Sequence, residues 1–394
     1  MLIGFRYRLY PTGEQETLLA KAFGCARHAY NWAIDQRREA YANGERTPSK
    51  FDLNKRMTLH KRELPWLTEV SDWVLKEAIA DAVRAYDNFF AKRARFPRYK
   101  SKRSPRQSAR WLRPVMKGRN HIEIPKIGVM RFRQHRDFEG RVKSATITRS
   151  ASGRYYVSLL VDDGREAPEK PRVVTRAVGI DVGIADFATL STGEKVPSPN
   201  FGRSDRRIRG LQRKLARQRK GSNRYDRTKR KLAREHERVA DRRRAFLHEL
   251  SSRLVGENQA IAVEDLNVSG MLHNHHLARS ISDASWSEFF LMLEYKCEWH
   301  GVHLMRCGRW EPTSKTCSEC GHRMDHMPLD VRRWVRPRPR RQRGDKHTLG
   351  RIGRVRTWRD CKTRASSGER VPSKRHAPGF SRGVDDVGRR PGKV

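Results

Sequence analysis

The sequence is short of several features that would point to other classes of protein. It has six cysteines in 394 residues, too few for the dense disulfide framework of a small secreted scaffold. It contains no uninterrupted apolar run long enough for a membrane-spanning helix, and no lipidation signal. Residues 1–7 alternate like a strand and lack the apolar core of a secretory leader. These absences predict a cytoplasmic protein.

Acidic residues are also in deficit. Against 86 Lys and Arg the chain has 44 Asp and Glu, which gives a formal net charge of +42. Residues 331–394 hold 21 Lys and Arg against 5 Asp and Glu, so the rest of the chain is strongly basic as well. A surplus of this size repels itself and calls for a polyanionic partner. Nucleic acid is the predicted partner, because neutralised phosphates release condensed counterions; an anionic membrane surface is the alternative.

The first 95 residues predict one strand followed by helices. From Leu2 to Tyr10 apolar and basic residues alternate with period two, as in a strand with one wet, cationic face. Thr12 and Gln15 have the spacing of a capping box, and apolar residues then recur at helical spacing. Residues 11–95 are therefore predicted to form a helical lobe. Short alternating runs in residues 120–162 predict a small β-barrel, whose sheet the N-terminal strand can complete.

Two basic segments are candidates for contact with nucleic acid. Residues 92–113 are rich in Lys, Arg, Ser and Pro, with Phe96, Tyr99 and Trp111 interleaved. This composition is typical of a single-strand or RNA surface, and a basic linker is an equal alternative. Residues 203–245 predict two cationic helices with a turn at 220–223, lying along a nucleic-acid backbone or merely solvated. The candidate nucleic-acid-binding residues are Arg6, Arg8, Arg95, Arg98, Tyr99, Lys100, Arg213, Lys214, Arg217 and Arg230.

Two apolar segments each carry a carboxylate in a position typical of a metal site. Asp181 lies within the strand-like run 178–184, with a glycine two residues away on each side, and Glu264 ends the run 260–264. A buried carboxylate is costly unless it is paired or binds a metal. Two strands that deliver acids to one sheet edge can hold Mg²⁺ or Mn²⁺ for phosphodiester displacement. Either motif alone is weak, since an Asp on a strand is often a satisfied edge residue.

Four segments are similar to motifs of one known family. Residues 179–190 resemble its first RuvC motif, residues 263–267 its second, residues 310–322 the start of its zinc ribbon, and residues 7–11 its opening. The chain thus resembles the TnpB (OrfB) family of insertion-sequence, transposase-associated proteins. The resemblance implies an RNA-guided DNA endonuclease with guide RNA and DNA as partners. It also implies that Asp181 is the first catalytic metal ligand and Glu264 the second.

The same resemblance implies a fold class and a domain organisation. The fold is α/β with all-β and helical parts: an RNase H-like (RuvC) mixed sheet with helices, preceded by a β-barrel that a helical lobe interrupts. The expected domains are a wedge-like β-barrel (1–10 and 96–165), a helical recognition lobe (11–95), a RuvC-like nuclease domain (172–310), a partial zinc ribbon (311–330) and a basic tail (331–394).

The C-terminal part departs from the family pattern in its zinc ribbon. Cys317 and Cys320 form one Cys-x-x-Cys knuckle, and no second one follows. A structural Zn²⁺ site uses four ligands, so a complete zinc site is not expected and these cysteines are interpreted as its remnant. The family's Asp-Arg-Asp-x-Asn-Ala-Ala segment, which carries the third catalytic carboxylate, is missing as well.

The tail after Val331 has two interpretations. It is rich in Arg, Gly, Ser and Pro without periodicity, which is typical of a disordered basic segment. The favoured alternative is a shift of reading frame near codon 331, which would have replaced the second knuckle and the third motif. With two carboxylates alone, cleavage is expected to be severely impaired. The rival functions are therefore a nuclease-inactive, RNA-guided DNA-binding protein and a general basic RNA-binding protein.

Overall fold

The computed structural model describes residues 1–308, together with the backbone of two short strands at 333–335 and 349–351. The predicted partial zinc ribbon at 311–330 and most of the predicted basic tail lie outside the described residues. The chain forms two compact units. The first contains Met1–Lys170, Pro199–Gly256 and Glu288–Gly301, and the second contains Pro171–Ser198, Glu257–Ser287 and Val302–Val394.

A seven-stranded antiparallel sheet lies in the first unit. Its strands are β1 (Leu2–Tyr10), β2 (Gln107–Leu112), β3 (Val115–Met116), β4 (His121–Ile124), β5 (Gly128–Arg133), β6 (Arg141–Arg149) and β7 (Tyr155–Asp162), in the order β2-β6-β7-β1-β5-β4-β3. Strand β1 is central and pairs with β7 and β5, which confirms that the N-terminal strand completes the sheet. No ladder joins the edge strands β2 and β3, both within the described residues, so the sheet is a curled half-barrel and not a closed barrel.

Helices fill the interval between β1 and β2, as the sequence predicted. They are α1 (Gly13–Ala42), α2 (Lys50–Glu63), a 3₁₀ helix (Pro65–Glu69) and α3 (Asp72–Phe90). The capping box of Thr12 and Gln15 is present, and each residue accepts a backbone N–H hydrogen bond from the other. Helix α2 was not predicted from periodicity, because it buries only Leu53 and Met57.

The helices and the half-barrel share one hydrophobic core. Buried side chains of α1 and α3 pack in the same cluster as those of the sheet. Trp111 on β2 belongs to this core and is 1% exposed. Its prediction as part of a nucleic-acid surface is therefore wrong. The reason is local: residues 107–112 form a strand, and period two places Ala109 and Trp111 together on the buried face.

Five helices follow later in the chain. They are α4 (Gly202–Ala216), α5 (Asn223–Glu257), α6 (Val268–Met271), α7 (Ala278–Ala284) and α8 (Trp286–Trp299). Helices α4 and α5 confirm the two predicted cationic helices and the turn between them. In α5 the basic first half continues without a break into an apolar stripe, of which Leu247, Leu250 and Leu254 are buried. No helix in residues 1–308 has the length and apolarity to cross a membrane.

A five-stranded mixed sheet forms the framework of the second unit. Its strands are β8 (Ala177–Val182), β9 (Asp186–Leu190), β10 (Lys195–Pro197), β11 (Ala260–Glu264) and β12 (His303–Cys307), in the order β10-β9-β8-β11-β12. Strands β8 and β9 form the predicted hairpin, and β8, β11 and β12 run parallel. The predicted mixed sheet is therefore confirmed. Beyond it, β13 (Arg333–Val335) and β14 (Leu349–Arg351) form an antiparallel pair.

Candidate active site and nucleic-acid surfaces

The two predicted catalytic carboxylates lie at the same edge of the mixed sheet. Strands β8 and β11 are parallel neighbours, and their ladder ends with Ile180 opposite Val263. The next residues along the two strands are Asp181 and Glu264. In a parallel pair, residues at matching positions direct their side chains to the same face of the sheet. The register therefore places both acids on one face, at adjacent carboxyl ends.

Residue size differs between the two faces of these strands. With period two, Gly179 on β8 and Ala262 on β11 share the face of the acids. The opposite face carries Val178, Ile180, Ile261 and Val263, all at most 2% exposed. Branched side chains therefore anchor one face in the core. The face of the acids carries small residues before each of them, and these are buried as well.

The hairpin that follows Asp181 depends on a glycine. A Cβ atom at Gly183 would lie 2.9 Å from the backbone oxygen of Asp186, closer than real Cβ contacts. The Gly183 N–H donates to the Phe187 carbonyl, and the Gly179 N–H donates to the Ser191 hydroxyl. The chain can therefore reverse directly after Asp181, which keeps this carboxylate at the end of its ladder.

Asp181 is a half-buried acid without a partner. Its carboxylate makes no hydrogen bond or salt bridge to any residue in the described part of the chain. Burial raises the pKa of Asp181, and no neighbouring cation offsets that effect. Such an arrangement is unusual in a chain of net charge +42. A bound cation would therefore strongly stabilise the charged form of this carboxylate.

The donor set fits a divalent cation only in part. Asp181 and Glu264 provide hard oxygen ligands at one sheet edge, as Mg²⁺ prefers. Asp265 follows Glu264, and its N–H donates to the carbonyl of Cys307 on β12. Within residues 1–308 no group of three or more His, Cys, Asp or Glu is arranged to hold a metal. Cys317 and Cys320, the expected zinc knuckle, lie outside the described residues.

The candidate nucleic-acid residues fall into three groups. Arg6 and Arg8 lie on β1, where their guanidinium carbons are 4.0 and 5.3 Å from the centre of the Tyr156 ring. Arg213, Lys214, Arg217 and Arg230 are all exposed, on or directly after α4 or on α5. The third group is Arg95, Arg98, Tyr99 and Lys100, in the loop after α3.

Part of the third group is bound to the helical lobe itself. Tyr99 donates from its hydroxyl to Asp35 and accepts from Arg38. The Lys100 ammonium lies 3.9 Å from the centre of the Tyr30 ring, and burial lowers its pKa. Arg95 and Arg98 are exposed. The loop is therefore attached to α1 by Tyr99 and Lys100, while its arginines face solvent.

Sequence reasoning did not find the arginines that surround the first group. Arg133 on β5, Arg136 after it and Arg244 on α5 line the same cleft as Arg6 and Arg8. They are separated from β1 by more than a hundred residues along the chain. The available signal was the alternation in Arg131-Phe132-Arg133, which repeats the pattern of β1. Only the sheet order shows that these two strands are neighbours.

Comparisons with known proteins cover most of the chain. The family described as "Probable transposase" (OrfB of IS605) matches residues 158–275. A related family described as a helix-turn-helix domain matches residues 1–46, which here form β1 and α1. A third, the Cas12f1-like TNB domain, matches residues 286–363 and thus extends past residue 331.

Similar proteins support the same assignment. A candidate RNA-guided DNA endonuclease of Streptomyces pristinaespiralis is 43% identical over 339 residues, covering 84% of this chain and 83% of that protein. The candidate RNA-guided DNA endonuclease InsQ of Escherichia coli is 32% identical, with coverages of 82% and 84%. The fold resembles Cas12f1 in its complex with guide RNA and target DNA, with a TM-score of 0.51 and 10% identity over 84% of this chain and 94% of that one. The chain therefore belongs to the TnpB (IS605 OrfB) family of transposase-associated proteins.

Proposed function

We propose that this protein binds a guide RNA and DNA, and that its mixed sheet carries two ligands of a RuvC-type endonuclease site. The observation on which the proposal rests is the register of β8 and β11, which aligns Asp181 with Glu264 at one edge. Relatives that are 43% and 32% identical are named as candidate RNA-guided DNA endonucleases. The exposed arginines and lysines of α4 and α5 suit the phosphate backbones of both polymers.

The sheet topology supports an RNase H-like assignment. The first strand of the sheet in chain order, β8, is also its central strand. The antiparallel β9 lies on one side, followed by β10, and the parallel strands β11 and β12 lie on the other. The central strand supplies Asp181 and its parallel neighbour supplies Glu264. Acids from two strands thus meet where the sheet presents the carboxyl ends of its parallel strands.

The proposed chemistry assigns a separate role to each acid and to the glycine. Asp181 and Glu264 would hold a divalent cation, which when bound stabilises the charge that develops on the phosphodiester oxygens. A cation would offset the burial that raises the pKa of Asp181, since no described residue compensates its charge. Gly183 permits the tight reversal after Asp181, since a Cβ atom there would lie 2.9 Å from the backbone oxygen of Asp186.

A second candidate function is RNA-guided DNA binding without cleavage. It is favoured by the sequence after residue 331, which lacks the family's third catalytic segment. Two carboxylates leave a metal ion with fewer protein ligands than the complete family site provides. In this case the protein would retain guide-directed binding and cut DNA slowly or not at all.

A cleavage assay separates the two candidates. The protein is purified with the RNA that accompanies it, that RNA is sequenced, and DNA complementary to it is offered with Mg²⁺ or Mn²⁺. Wild-type cleavage that disappears in Asp181→Ala supports the endonuclease. Equal absence of cleavage in both proteins, with unchanged DNA binding, supports the binding protein. Asp186→Ala is the matched control, because it removes a carboxylate from the same hairpin, one that precedes the β8–β9 ladder and pairs with Lys195 at 3.7 Å.

Two outcomes contradict the proposal as a whole. One is a wild-type protein that copurifies with no RNA and binds no DNA at low salt. The other is cleavage that survives in Asp181→Ala at the wild-type rate, which would place the reaction elsewhere in the chain.

A further inference from the structure

A cationic cleft in the first unit is separate from the carboxylates. It has a volume of about 540 Å³, within the range of about 300–1,000 Å³ that is common for ligand sites. Strand β1, the end of β5 with the loop after it, and helix α5 form its walls. Five arginines and two histidines line it, against one carboxylate, that of Asp241. The mechanism proposed for the mixed sheet uses none of these residues.

Hydrogen bonds next to the cleft attach α5 to the sheet; we call this cluster around Glu237 the polar anchor. Glu237 on α5 accepts hydrogen bonds from the Ser152 hydroxyl (2.8 Å), the Arg154 guanidinium (3.3 Å) and the Tyr156 hydroxyl (2.8 Å). Asp241 and Arg244 follow at four and seven residues, and therefore lie on the same side of the helix. The anchor thereby positions this face of α5 opposite the arginines of β1.

Four of the five arginines have no acidic partner. Arg6, Arg8, Arg133 and Arg136 form no salt bridge in the part of the chain that the structure describes. The fifth, Arg244, lies 3.7 Å from Asp241 and 3.4 Å from Glu288. The single carboxylate of the cleft, Asp241, pairs with Arg244 and also acts on Arg6 at longer range, so the cations of the cleft outnumber its acids.

Two of these four charges are direct cross-strand neighbours. The ladder between β1 and β5 places Arg8 opposite Arg133. Like charges in directly opposite positions of an antiparallel pair destabilise the sheet. This repulsion gives the fold no benefit. A benefit arises only when an anion lies between or above the two guanidinium groups.

Arg8 also has a donor that lacks an acceptor. Its Nη1 atom is buried from solvent and makes no hydrogen bond in the structure. Buried donors are nearly always satisfied in folded proteins, so this donor is available to an acceptor that enters the cleft. The face of Tyr156 is covered by Arg6 and Arg8, so this ring cannot stack on a base from the cleft side. The ligand is therefore recognised through its charge.

The electrostatic environment of the cleft favours an anion. Burial lowers the pKa of Arg6, and the Arg244 guanidinium lowers it further. Burial likewise lowers the pKa of His248, to which Lys296, Arg244 and Arg136 also contribute. Tyr7 donates from its hydroxyl to the Arg136 carbonyl at 2.7 Å, which fixes the loop that presents Arg136. Asp241 and Glu288 act in the opposite direction on Arg6 and His248, but burial and the neighbouring cations outweigh them.

We infer that this cleft binds a phosphate of a nucleic-acid strand, with Arg8 and Arg133 as its central donors and Arg6 and Arg136 at its sides. The inference rests on the proposed function, because it takes the phosphate to belong to the bound polymer. Guanidinium groups suit this ligand, since their planar forks match the oxygens of phosphate. Bound phosphate would pair Nη1 of Arg8 and relieve the repulsion between Arg8 and Arg133.

The first experiment measures nucleic-acid affinity. Arg133→Gln and Arg8→Gln are compared with Arg141→Gln, which removes the same charge at the start of β6, outside the cleft. The probes are short fluorescein-labelled single strands of RNA and of DNA with the same sequence. Each cleft variant is expected to bind about tenfold more weakly, as for one charged hydrogen bond. The salt dependence of log Kd should fall by about 0.7–0.9.

The second experiment measures stability, which does not depend on affinity. Arg133→Gln removes a like-charge neighbour of Arg8, so its melting temperature in the absence of ligand should equal or exceed that of the wild type. Sodium phosphate at fixed ionic strength should raise the melting temperature of the wild type more than that of Arg133→Gln. This measurement tests whether free phosphate binds at the same site as the phosphate of a nucleic-acid strand. If Arg8→Gln does not fold, the exposed Arg133 still tests the site.

The outcomes distinguish this inference from the proposed function. If the wild type binds neither strand, the proposed function fails. If the wild type binds and both cleft variants behave like Arg141→Gln in affinity and salt dependence, the cleft assignment alone fails. A lower melting temperature of Arg133→Gln without ligand would also overturn it, because the pair would then be structural.

Discussion

The two units of the molecule treat their buried charges in opposite ways. In the first unit, Glu237 accepts three hydrogen bonds, and Lys296, only 6% exposed, donates to three oxygens of α5. In the second unit, Asp181 is half-buried and has no partner within the described residues. The hydrogen bonds to Glu237 favour its charged form, whereas the carboxylate of Asp181 has none within the described residues and is available to a ligand.

The arginine cleft is the exception that makes this comparison useful. It belongs to the first unit, yet Arg8 has an unsatisfied buried donor and a like-charged neighbour, Arg133. By the criterion applied to Asp181, these arginines are available to a ligand, and so is Arg37 of the same unit, whose Nε and Nη1 atoms are also buried without a hydrogen-bond partner in the described part of the chain.

The largest expected effect is at Asp181. In the Asp181→Asn variant, Mg²⁺ or Mn²⁺ should no longer raise the stability. Any metal-dependent cleavage should fall by more than roughly 10–100-fold, the loss that is typical when a residue hydrogen-bonded to a metal ligand is replaced. Without metal the variant should be at least as stable as the wild type, because it removes a buried charge that nothing compensates. Thermal unfolding with and without the cation measures both effects, and Asp186→Asn is the control. A metal-free variant that melts well below the wild type would show that Asp181 is structural.

The same substitution has a pH signature. Burial raises the pKa of Asp181 above its ordinary value of 3.8, so the folded state binds a proton over a pH range in which the unfolded chain has lost it. Stability attributable to this group is therefore lost as the pH rises through that range. The difference in stability between Asp181→Asn and the wild type should grow from pH 4 towards neutrality. A constant difference would contradict the assigned cause.

Glu237 provides the test of a buried carboxylate that is hydrogen-bonded. Burial disfavours its charged form, but hydrogen bonds from Ser152 and Tyr156 and the charge of Arg154 outweigh this and lower the pKa of Glu237. Glu237→Ala leaves those donors unpaired and should cost about 1–3 kcal/mol in the free energy of unfolding. Urea denaturation measures the cost at neutral pH. The loss should shrink in acid, since the contribution of a carboxylate with a lowered pKa disappears as it becomes protonated.

Lys296 offers a smaller effect with the opposite pH dependence. Burial lowers its pKa from 10.5 to about 8, so between these values the unfolded chain binds a proton that the folded protein does not. Stability should therefore rise with pH across this window, by an amount on the order of 1 kcal/mol. Lys296→Met should lack the rise, which chemical denaturation at pH 8 and pH 10 can measure. Parallel curves for the two proteins would contradict the prediction.

The smallest effect is expected on the exposed cationic helices. Arg213→Gln on α4 removes a solvated charge with no partner to lose, so its stability should change by less than about 0.5 kcal/mol. Its affinity for DNA should fall modestly, and the slope of log Kd against log salt concentration should decrease by the equivalent of about one released counterion. Fluorescence anisotropy at several salt concentrations measures this, with the exposed Lys55→Gln on α2 for comparison. Identical behaviour of the two variants would remove α4 from the binding surface.

Much of the architecture could be predicted from local patterns. The alternation in β1, the capping box of Thr12 and Gln15 and the hairpin after Asp181 all depend on neighbours in sequence, and the structure contains each of them. Helix α2 and the burial of Trp111 were not predicted correctly. Helix α2 depends on packing against distant elements, and Trp111 faces the core because residues 107–112 form a strand that the composition of the segment did not indicate.

The site was predictable in residue type but not in geometry. An acid in an apolar strand is expensive wherever the strand lies, so Asp181 and Glu264 could be selected before the fold was known. The arginines of the cleft could not, because single arginines on separate strands and helices look like ordinary surface charge. Arg8 and Arg133 become significant only as cross-strand neighbours.

The amino-acid sequence by itself determined which charges this protein has to accommodate: a large excess of cations, and acids within two apolar strands. Local physics decides this, since alternation, capping and glycine turns act over a few residues. The tertiary structure alone decided which of those charges meet. Strand register aligned Asp181 with Glu264 and Arg8 with Arg133, and a register is set by the burial of whole faces rather than by any one residue.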